Sequence, residues 1–167
     1  FGSYQVNRDE GVRNAIRIMK ESGADAVKLE GGSEIIDTIK GILAAGIPVV
    51  GHLGLTPQSV HKFGGYGVRA KDEAEAAKLL SDAKLLDEAG VCALVLEKVP
   101  HKLAAEVSKQ IEAPTIGIGA GNETDGQVLV YADAMGMTHG FKPKFLRVFA
   151  DVSKCMSEGI ADYMKCV

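Results

Sequence analysis

This sequence has few cysteines, no large excess of one charge and no long apolar run. Its 167 residues include three cysteines, Cys92, Cys155 and Cys166, with no CxxC pair and no zinc-ligand spacing. An odd count without a framework fits a reducing compartment, so we expect buried or incidental thiols in a cytoplasmic protein. The formal net charge is −3 and no basic stripe with interleaved aromatics occurs, which argues against nucleic-acid binding. No apolar run approaches the roughly eighteen residues of a transmembrane helix, so no membrane attachment is expected.

The start of the chain also lacks familiar features. It opens on FGSYQVN, with no methionine and no positive region followed by an apolar stretch, as a signal peptide would have. The length suits one domain better than two. These features predict that residues 1–167 form a single, partial domain of a longer polypeptide.

Short β-branched runs alternate with helical stretches, as in βα units around a parallel sheet. The sequence predicts strands at 26–29, 47–50, 91–96 and 115–118, with 126–130 as a fifth strand or a loop. It predicts helices at 9–22, 33–45, 71–89, 102–111 and, over the last part of the chain, 144–165. Eight such units close a (β/α)₈ barrel, and an open doubly wound sheet is the alternative. Both folds place their sites at the carboxyl ends of the strands.

The stretch AVKLEGGSE places a lysine and a glutamate at the end of the first predicted strand. Because side chains alternate along a strand, Lys28 and Glu30 face one side while Val27 and Leu29 face the other. A lysine within a strand is costly unless it meets an anion, so this pair favours a binding site. Taken alone, Glu30 remains open between a metal ligand, a general base and a turn residue before the next helix.

Other strand ends carry further candidates. Glu97 closes the apolar run CALVLE, where burial raises a carboxyl pKa and suits it to proton transfer; an ion pair with Lys98 is the alternative. His52, in the predicted loop GHLGLTPQ, is either a hydrogen-bond donor to a substrate or a structural residue. The segment GIGAGNETDG lacks the lysine of a P-loop and the GxGxxG spacing, although its backbone amides could hold an anion.

Six stretches resemble, in order, the ketopantoate hydroxymethyltransferase family, also named 3-methyl-2-oxobutanoate hydroxymethyltransferase. They are FGSYQ, AVKLEGG, IPVVGHLGLTPQSVHKFGGYGVRA, LVLEKVP, PTIGIGAGNETDGQVLVYADAMGM and KFLRVFADV. They span nearly the whole chain, and the third is too long for chance or a shared fold alone. The resemblance implies an α/β TIM barrel, of which this chain covers about the last five βα units.

The same resemblance implies a reaction and its residues. A hydroxymethyl group passes from 5,10-methylenetetrahydrofolate to the small 2-oxo acid 3-methyl-2-oxobutanoate, giving 2-dehydropantoate through an enolate that Mg²⁺ stabilises. Carried over position by position, Glu30 matches a metal-site carboxylate and Glu97 the catalytic base. Lys28 and His52 match contacts to the substrate. The family also implies a homo-oligomer.

This sequence departs from the family pattern in two places. The further aspartates of the family's magnesium site fall before Phe1, and Lys98 follows Glu97 where small residues or cysteine are usual. Two other functions therefore stay open. One is a non-catalytic truncated paralogue that acts as an assembly partner. The other is a 2-oxo-acid barrel enzyme of the phosphoenolpyruvate mutase or isocitrate lyase type, although the sequence lacks the reactive cysteine loop of those enzymes.

Overall fold

The computed structural model describes residues 1–140 and 142–167, which form two compact units, 1–127 and 128–167. The first unit contains a five-stranded sheet in the order β1-β2-β3-β4-β5, with every neighbouring pair parallel. Its strands are β1 (Val27–Glu30), β2 (Val49–Gly54), β3 (Ala93–Glu97), β4 (Thr115–Ile118) and β5 (Gly126–Gln127). Its helices are α1 (Arg8–Ser22), α2 (Ile36–Ala44), α3 (Val60–Phe63), α4 (Glu73–Ala89) and α5 (His101–Gln110), with 3₁₀ turns at Ser33–Ile35 and Pro57–Ser59. Sequential parallel strands joined by helices confirm the α/β class and fit part of a barrel.

The helices cover one face of this sheet. The strand residues on that face are buried, and they pack in one apolar core with side chains from α2, α4 and α5. The fully buried members include Ile39, Ile42, Val49, Leu86, Leu94, Leu96 and Val107. Each such side chain contributes about 1.5–3 kcal/mol relative to an exposed one. This packing fixes the strands, and with them the groups on the opposite face.

The second strand runs further than its sequence predicts. We expected it at 47–50 with a loop after it, but it spans Val49–Gly54 and therefore contains His52. Gly51 looks like a loop residue, yet a β-carbon there would lie 3.0 Å from Leu94 Cδ1 and 3.2 Å from Leu86 Cδ1. The core thus approaches the strand closely, and any larger side chain at position 51 would require these two leucines to shift. The third strand is shifted in the same direction, to Ala93–Glu97, so Glu97 is its last residue.

Helix caps explain where two other predictions differ from the structure. The helix predicted at 71–89 begins at Glu73 because the Asp72 side chain accepts a hydrogen bond from Glu75 N. The helix predicted at 144–165 is confined to α7 (Val152–Cys166), since the Asp151 side chain accepts from Lys154 N and starts the helix there. The fifth strand, predicted at 126–130 as strand or loop, has two residues.

The second unit, residues 128–167, contains α7 and the short helix α6 (Tyr131–Ala134), which the sequence did not predict. Phe149 N donates to Ala134 O at 2.8 Å and Val152 N to Met135 O at 3.2 Å, so the two helices are joined through backbone hydrogen bonds. All three cysteines are free and exposed, so of the two expectations, buried or incidental thiols, the structure excludes burial. Within 1–140 and 142–167, no helix has both the length and the apolar character needed to cross a bilayer.

Candidate active site

The register of the sheet gathers the polar strand-end residues on one face. Glu30 pairs with His52 across β1 and β2, and Gly54 pairs with Glu97 across β2 and β3. Directly paired residues point to the same side, so these side chains share the face opposite the helices, as Lys28 does two residues before Glu30. The predicted alternation is confirmed, since Val27 and Leu29 are buried beneath the helices. The four candidate residues Lys28, Glu30, His52 and Glu97 therefore lie together.

Lys28 and Glu30 form the first part of the site. Lys28 Nζ lies 3.5 Å from Glu30 Oε1, with the lysine side chain 46% exposed and the glutamate side chain 7% exposed. An ammonium group has three N–H donors. Lys28 can therefore contact its neighbours and still offer a donor to an anion at the open face.

Two residues that the sequence analysis did not single out hold Glu30 in place. Glu30 N donates to the Tyr4 hydroxyl at 2.9 Å, and that hydroxyl also lies 3.1 Å from Glu30 O. Gln58 N donates to Glu30 Oε2 at 2.8 Å. Burial, the largest influence, raises the pKa of Tyr4, so its hydroxyl is protonated at neutral pH.

The sequence did carry a signal for Gln58. Pro57 opens the 3₁₀ turn Pro57–Ser59, and the amides at the start of a helical turn have no partner within the turn. One such amide binds the Glu30 carboxylate. Tyr4 left no comparable local signal, because its partner lies 26 residues away.

His52 occupies the centre of the cluster and is almost completely buried. Its Nδ1 lies 3.1 Å from Lys28 Nζ and 3.9 Å from Glu30 Oε1, and its side chain is 4% exposed. On the other edge of the ring, Nε2 lies 3.3 Å from Glu97 Oε2, without the alignment of a hydrogen bond. Among the residues that the structure describes, His52 Nε2 is the one buried side-chain nitrogen or oxygen that makes no hydrogen bond.

Lys98 does not pair with Glu97, contrary to the alternative that the sequence left open. Its ammonium donates to Tyr66 O, and its backbone oxygen accepts from Arg69 N at 2.8 Å. The backbone of Lys98 is left-handed, with φ 47°, a conformation that few residues other than glycine adopt. Lys98 thus ties the glycine-rich segment 61–72 to the end of β3, and His52 is the basic group next to Glu97.

Hydrogen bonds and close packing within the protein fix the conformation of the segment GIGAGNETDG. The Asp125 carboxylate accepts from Thr115 N at 2.8 Å and from the Thr115 hydroxyl at 2.9 Å. These hydrogen bonds lower the pKa of Asp125. Gly121 lies against α5, where a β-carbon would stand 2.4 Å from His101 Cβ. The close approach gives the glycine a packing role.

A separate cavity of about 250 Å³ lies on the helix side of β2, between Leu53 and α4. Its lining has three cationic and three anionic side chains: Arg69 pairs with Glu75, Lys78 pairs with Asp82 and Glu34, and Lys62 is the remaining cation. Partial burial lowers the pKa of Lys78, but the hydrogen bond and charge of Asp82 outweigh it and raise the pKa overall. Because these charges are already balanced, the open face with Lys28 and Glu97 is the better candidate for binding an anionic substrate.

Consecutive parallel strands joined by helices, with a polar cluster at their carboxyl ends, define an α/β protein whose sheet is consistent with part of a barrel. The chain belongs to the ketopantoate hydroxymethyltransferase family, since the model of that family matches residues 1–167.

Curated relatives agree with this assignment. A protein of Bacteroides fragilis named 3-methyl-2-oxobutanoate hydroxymethyltransferase is 61% identical over 167 residues, which is 100% of this chain and 61% of that protein. Proteins of the same name from Christiangramia forsetii and a Thermoanaerobacter species are 62% and 53% identical, over 98% and 99% of this chain and 60% of each relative. The chain thus spans about three fifths of the length of the curated relatives it matches.

Proposed function

We propose that this chain carries part of the active site of an enzyme that transfers a hydroxymethyl group from 5,10-methylenetetrahydrofolate to 3-methyl-2-oxobutanoate, giving 2-dehydropantoate. The observation that carries the proposal is the gathering of Lys28, Glu30, His52 and Glu97 on one sheet face. Membership in the family and the names of the relatives support the choice of reaction.

The open face suits a small acid with a branched apolar tail. Lys28 supplies a partly exposed cation for the carboxylate and oxo oxygens of the substrate. Val95 and Ile116 continue the row of Glu30 and His52, and Ile118 continues the row of Glu97. These side chains form an apolar floor beside the charged groups, which fits the isopropyl group of the acid.

Glu97 is the proposed catalytic base. Its side chain is 18% exposed at the edge of this floor, where it can reach a bound substrate. The C3–H bond of the oxo acid breaks, the proton moves to the Glu97 carboxylate, and the electron pair moves toward the oxo oxygen to give an enolate. Lys28 stabilises the negative charge that develops there. Water hydrolyses the methylene bridge of the folate, so both of its C–N bonds break, tetrahydrofolate leaves with protons on its two nitrogens, and the one-carbon unit is presented as formaldehyde. The enolate carbon forms a bond to that carbon, the electron pair of its C=O bond moves to oxygen, and the resulting alkoxide takes a proton to give the hydroxymethyl group.

Magnesium is proposed as the metal, with Glu30 as one ligand. Mg²⁺ prefers oxygen ligands, uses one or two carboxylates and keeps several waters, and it supplies Lewis-acid polarisation of carbonyl oxygens. Glu30 fits that role in part: Gln58 N donates to Oε2, while Oε1 lies 3.5 Å from Lys28 Nζ and accepts no hydrogen bond from the backbone of the described residues. Over residues 1–140 and 142–167, no three His, Cys, Asp or Glu side chains are arranged to hold a metal. Glu30 is therefore not a complete metal site on its own.

The test is exchange of the C3 proton of 3-methyl-2-oxobutanoate for deuterium, followed by NMR in heavy water, with the full-length gene product and with or without magnesium. The assay needs no folate, so it isolates the enolisation step. We expect magnesium-dependent exchange that Glu97→Gln abolishes, because the amide cannot accept the proton. Glu88→Gln, at an exposed position on α4, is the matched control and keeps the wild-type rate.

The alternatives give different results in the same assay. A non-catalytic assembly partner produces no exchange in any sample. An enzyme acting on another 2-oxo acid exchanges the protons of that acid faster than those of 3-methyl-2-oxobutanoate. Equal exchange by wild type and Glu97→Gln contradicts the assignment of the base. The cytoplasmic location and the homo-oligomeric assembly stay predictions.

A further inference from the structure

We infer that His52 is a positioning residue, whose Nε2–H holds the Glu97 carboxylate in place while Lys28 selects the tautomer that makes this possible. The inference rests on the proposed function, because it concerns how the proposed base is oriented. It starts from His52 Nε2, which within residues 1–140 and 142–167 is the one buried side-chain nitrogen or oxygen without a hydrogen bond.

The contacts of Nδ1 determine which nitrogen carries the proton. A lysine ammonium only donates hydrogen bonds, so Nδ1 at 3.1 Å from Lys28 Nζ must act as the acceptor. The alternative is an Nδ1–H that donates to Glu30 Oε1, but that separation of 3.9 Å is too long for a hydrogen bond. In a neutral imidazole with Nδ1 bare, the proton resides on Nε2.

That proton then faces a carboxylate. Nε2 lies 3.3 Å from Glu97 Oε2, and both side chains are largely buried. A buried N–H without a partner costs about 1–3 kcal/mol, and a small rotation of Glu97 removes this cost. The direction of this hydrogen bond matters. When Nε2–H donates to one oxygen of Glu97, it fixes the orientation of the carboxylate.

The imidazole ring of His52 thus connects Lys28, the proposed substrate contact, with Glu97, the proposed base. Lys28 offers a donor to His52 and retains others for the substrate, while His52 offers its single donor to Glu97. His52 itself is 4% exposed, so its action on the reaction passes through Glu97. Removing the Nε2 donor therefore slows proton transfer with little effect on binding, whereas removing the Lys28 cation weakens both substrate binding and the stabilisation of the enolate.

The first test reads the tautomer directly and needs no substrate. The full-length gene product is labelled with ¹⁵N-histidine, and the His52 signals are identified by their loss in His52→Gln. We expect a protonated Nε2 and a bare Nδ1 in the wild type, and a loss of this preference in Lys28→Met. A His52 ring protonated at Nδ1, alone or together with Nε2, overturns the inference.

The second test separates positioning from space filling. The amide of glutamine reaches about as far as Nε2, and that of asparagine about as far as Nδ1. In the C3 exchange assay, His52→Gln should retain most of the rate, and His52→Asn should be slower by about tenfold, the value of one hydrogen bond, with KM nearly unchanged in both. His61→Gln, at an exposed position of α3, is the control and keeps the wild-type rate.

The outcomes of the second test are distinct. Equal rates for His52→Gln and His52→Asn, or a faster rate for His52→Asn, overturn positioning through Nε2. A wild type that shows no exchange at all refutes the proposed function instead, and the tautomer measurement then decides whether His52 and Lys28 are coupled as described.

Discussion

Tyr4→Phe tests whether a single hydroxyl group secures the strand end that carries Glu30. Val27 N and Gly31 N donate to carbonyl groups of Pro48 and His52, so the amide of Glu30 faces the other edge of β1. There it donates to the Tyr4 hydroxyl, at 2.9 Å, in place of a neighbouring strand. Phenylalanine keeps the ring and removes this acceptor.

The stability that Tyr4→Phe removes depends on which polar groups lose their hydrogen-bond partner. Gln58 Oε1, 3.3 Å from the hydroxyl, keeps a hydrogen bond from Gln5 Nε2 at 2.7 Å and is not left unsatisfied. Within the described part of the chain, no residue offers the Glu30 N–H a second acceptor, and Tyr4 is only 8% exposed, so this amide stays poorly hydrated. An unsatisfied buried donor costs about 1–3 kcal/mol, which corresponds to about 5- to 150-fold faster hydrogen exchange of that amide.

The assay is native-state hydrogen exchange of the Glu30 amide, with urea unfolding of the same proteins. For an m value of about 2 kcal/mol/M, a loss of about 2 kcal/mol lowers the urea midpoint by about 1 M. Tyr163→Phe, whose ring is 66% exposed, is the matched control and should change the stability by less than about 0.5 kcal/mol. If Tyr4→Phe behaves like Tyr163→Phe in both measurements, the hydroxyl does not secure Glu30.

Two further predictions concern the surroundings of the site. In Gly32→Ala the new methyl group would lie 2.3 Å from Asp82 Cγ, so we expect the free energy of unfolding in urea to fall by about 1–3 kcal/mol. Gly67→Ala, at a position with open space around it, is the control. Equal stability of the two variants would refute the close packing at Gly32. The hydrogen bonds from Thr115 lower the pKa of Asp125 below 3.8, so their stabilisation is present at neutral pH and is lost as the pH falls through the lowered value. Asp125→Asn should therefore be less stable than wild type at pH 7, with a gap that narrows below pH 3.8; a gap independent of pH in urea titrations would contradict this.

The sequence predicted the site where local rules apply. Strand alternation alone placed Lys28 and Glu30 on one face and Val27 and Leu29 on the other, and the structure agrees. The position of Glu97 at the end of an apolar run was equally readable, because a buried parallel strand is a nearly continuous apolar run that ends where polar residues begin. These inferences needed only the two-residue period and the direction of the chain.

Local patterns could not supply what depends on distant contacts. Gly51 and His52 looked like a loop because glycine and histidine are weak strand formers; the helices packed over Gly51 explain why they lie within β2. The contact of Tyr4 with Glu30, and the choice of His52 rather than Lys98 as the neighbour of Glu97, depend on the folded register. No one-dimensional pattern encodes them.

The most direct test of the central claim is product formation by the full-length gene product. Carbon-13-labelled 3-methyl-2-oxobutanoate, 5,10-methylenetetrahydrofolate and magnesium are incubated with wild type and with Glu97→Gln, and the products are identified by NMR. We predict labelled 2-dehydropantoate with the wild type and a rate lower by about two orders of magnitude or more with Glu97→Gln, because general base catalysis contributes about 10²–10⁴-fold. A folded wild-type protein that forms no 2-dehydropantoate, or a Glu97→Gln variant that forms it as fast, would contradict the assignment of this site.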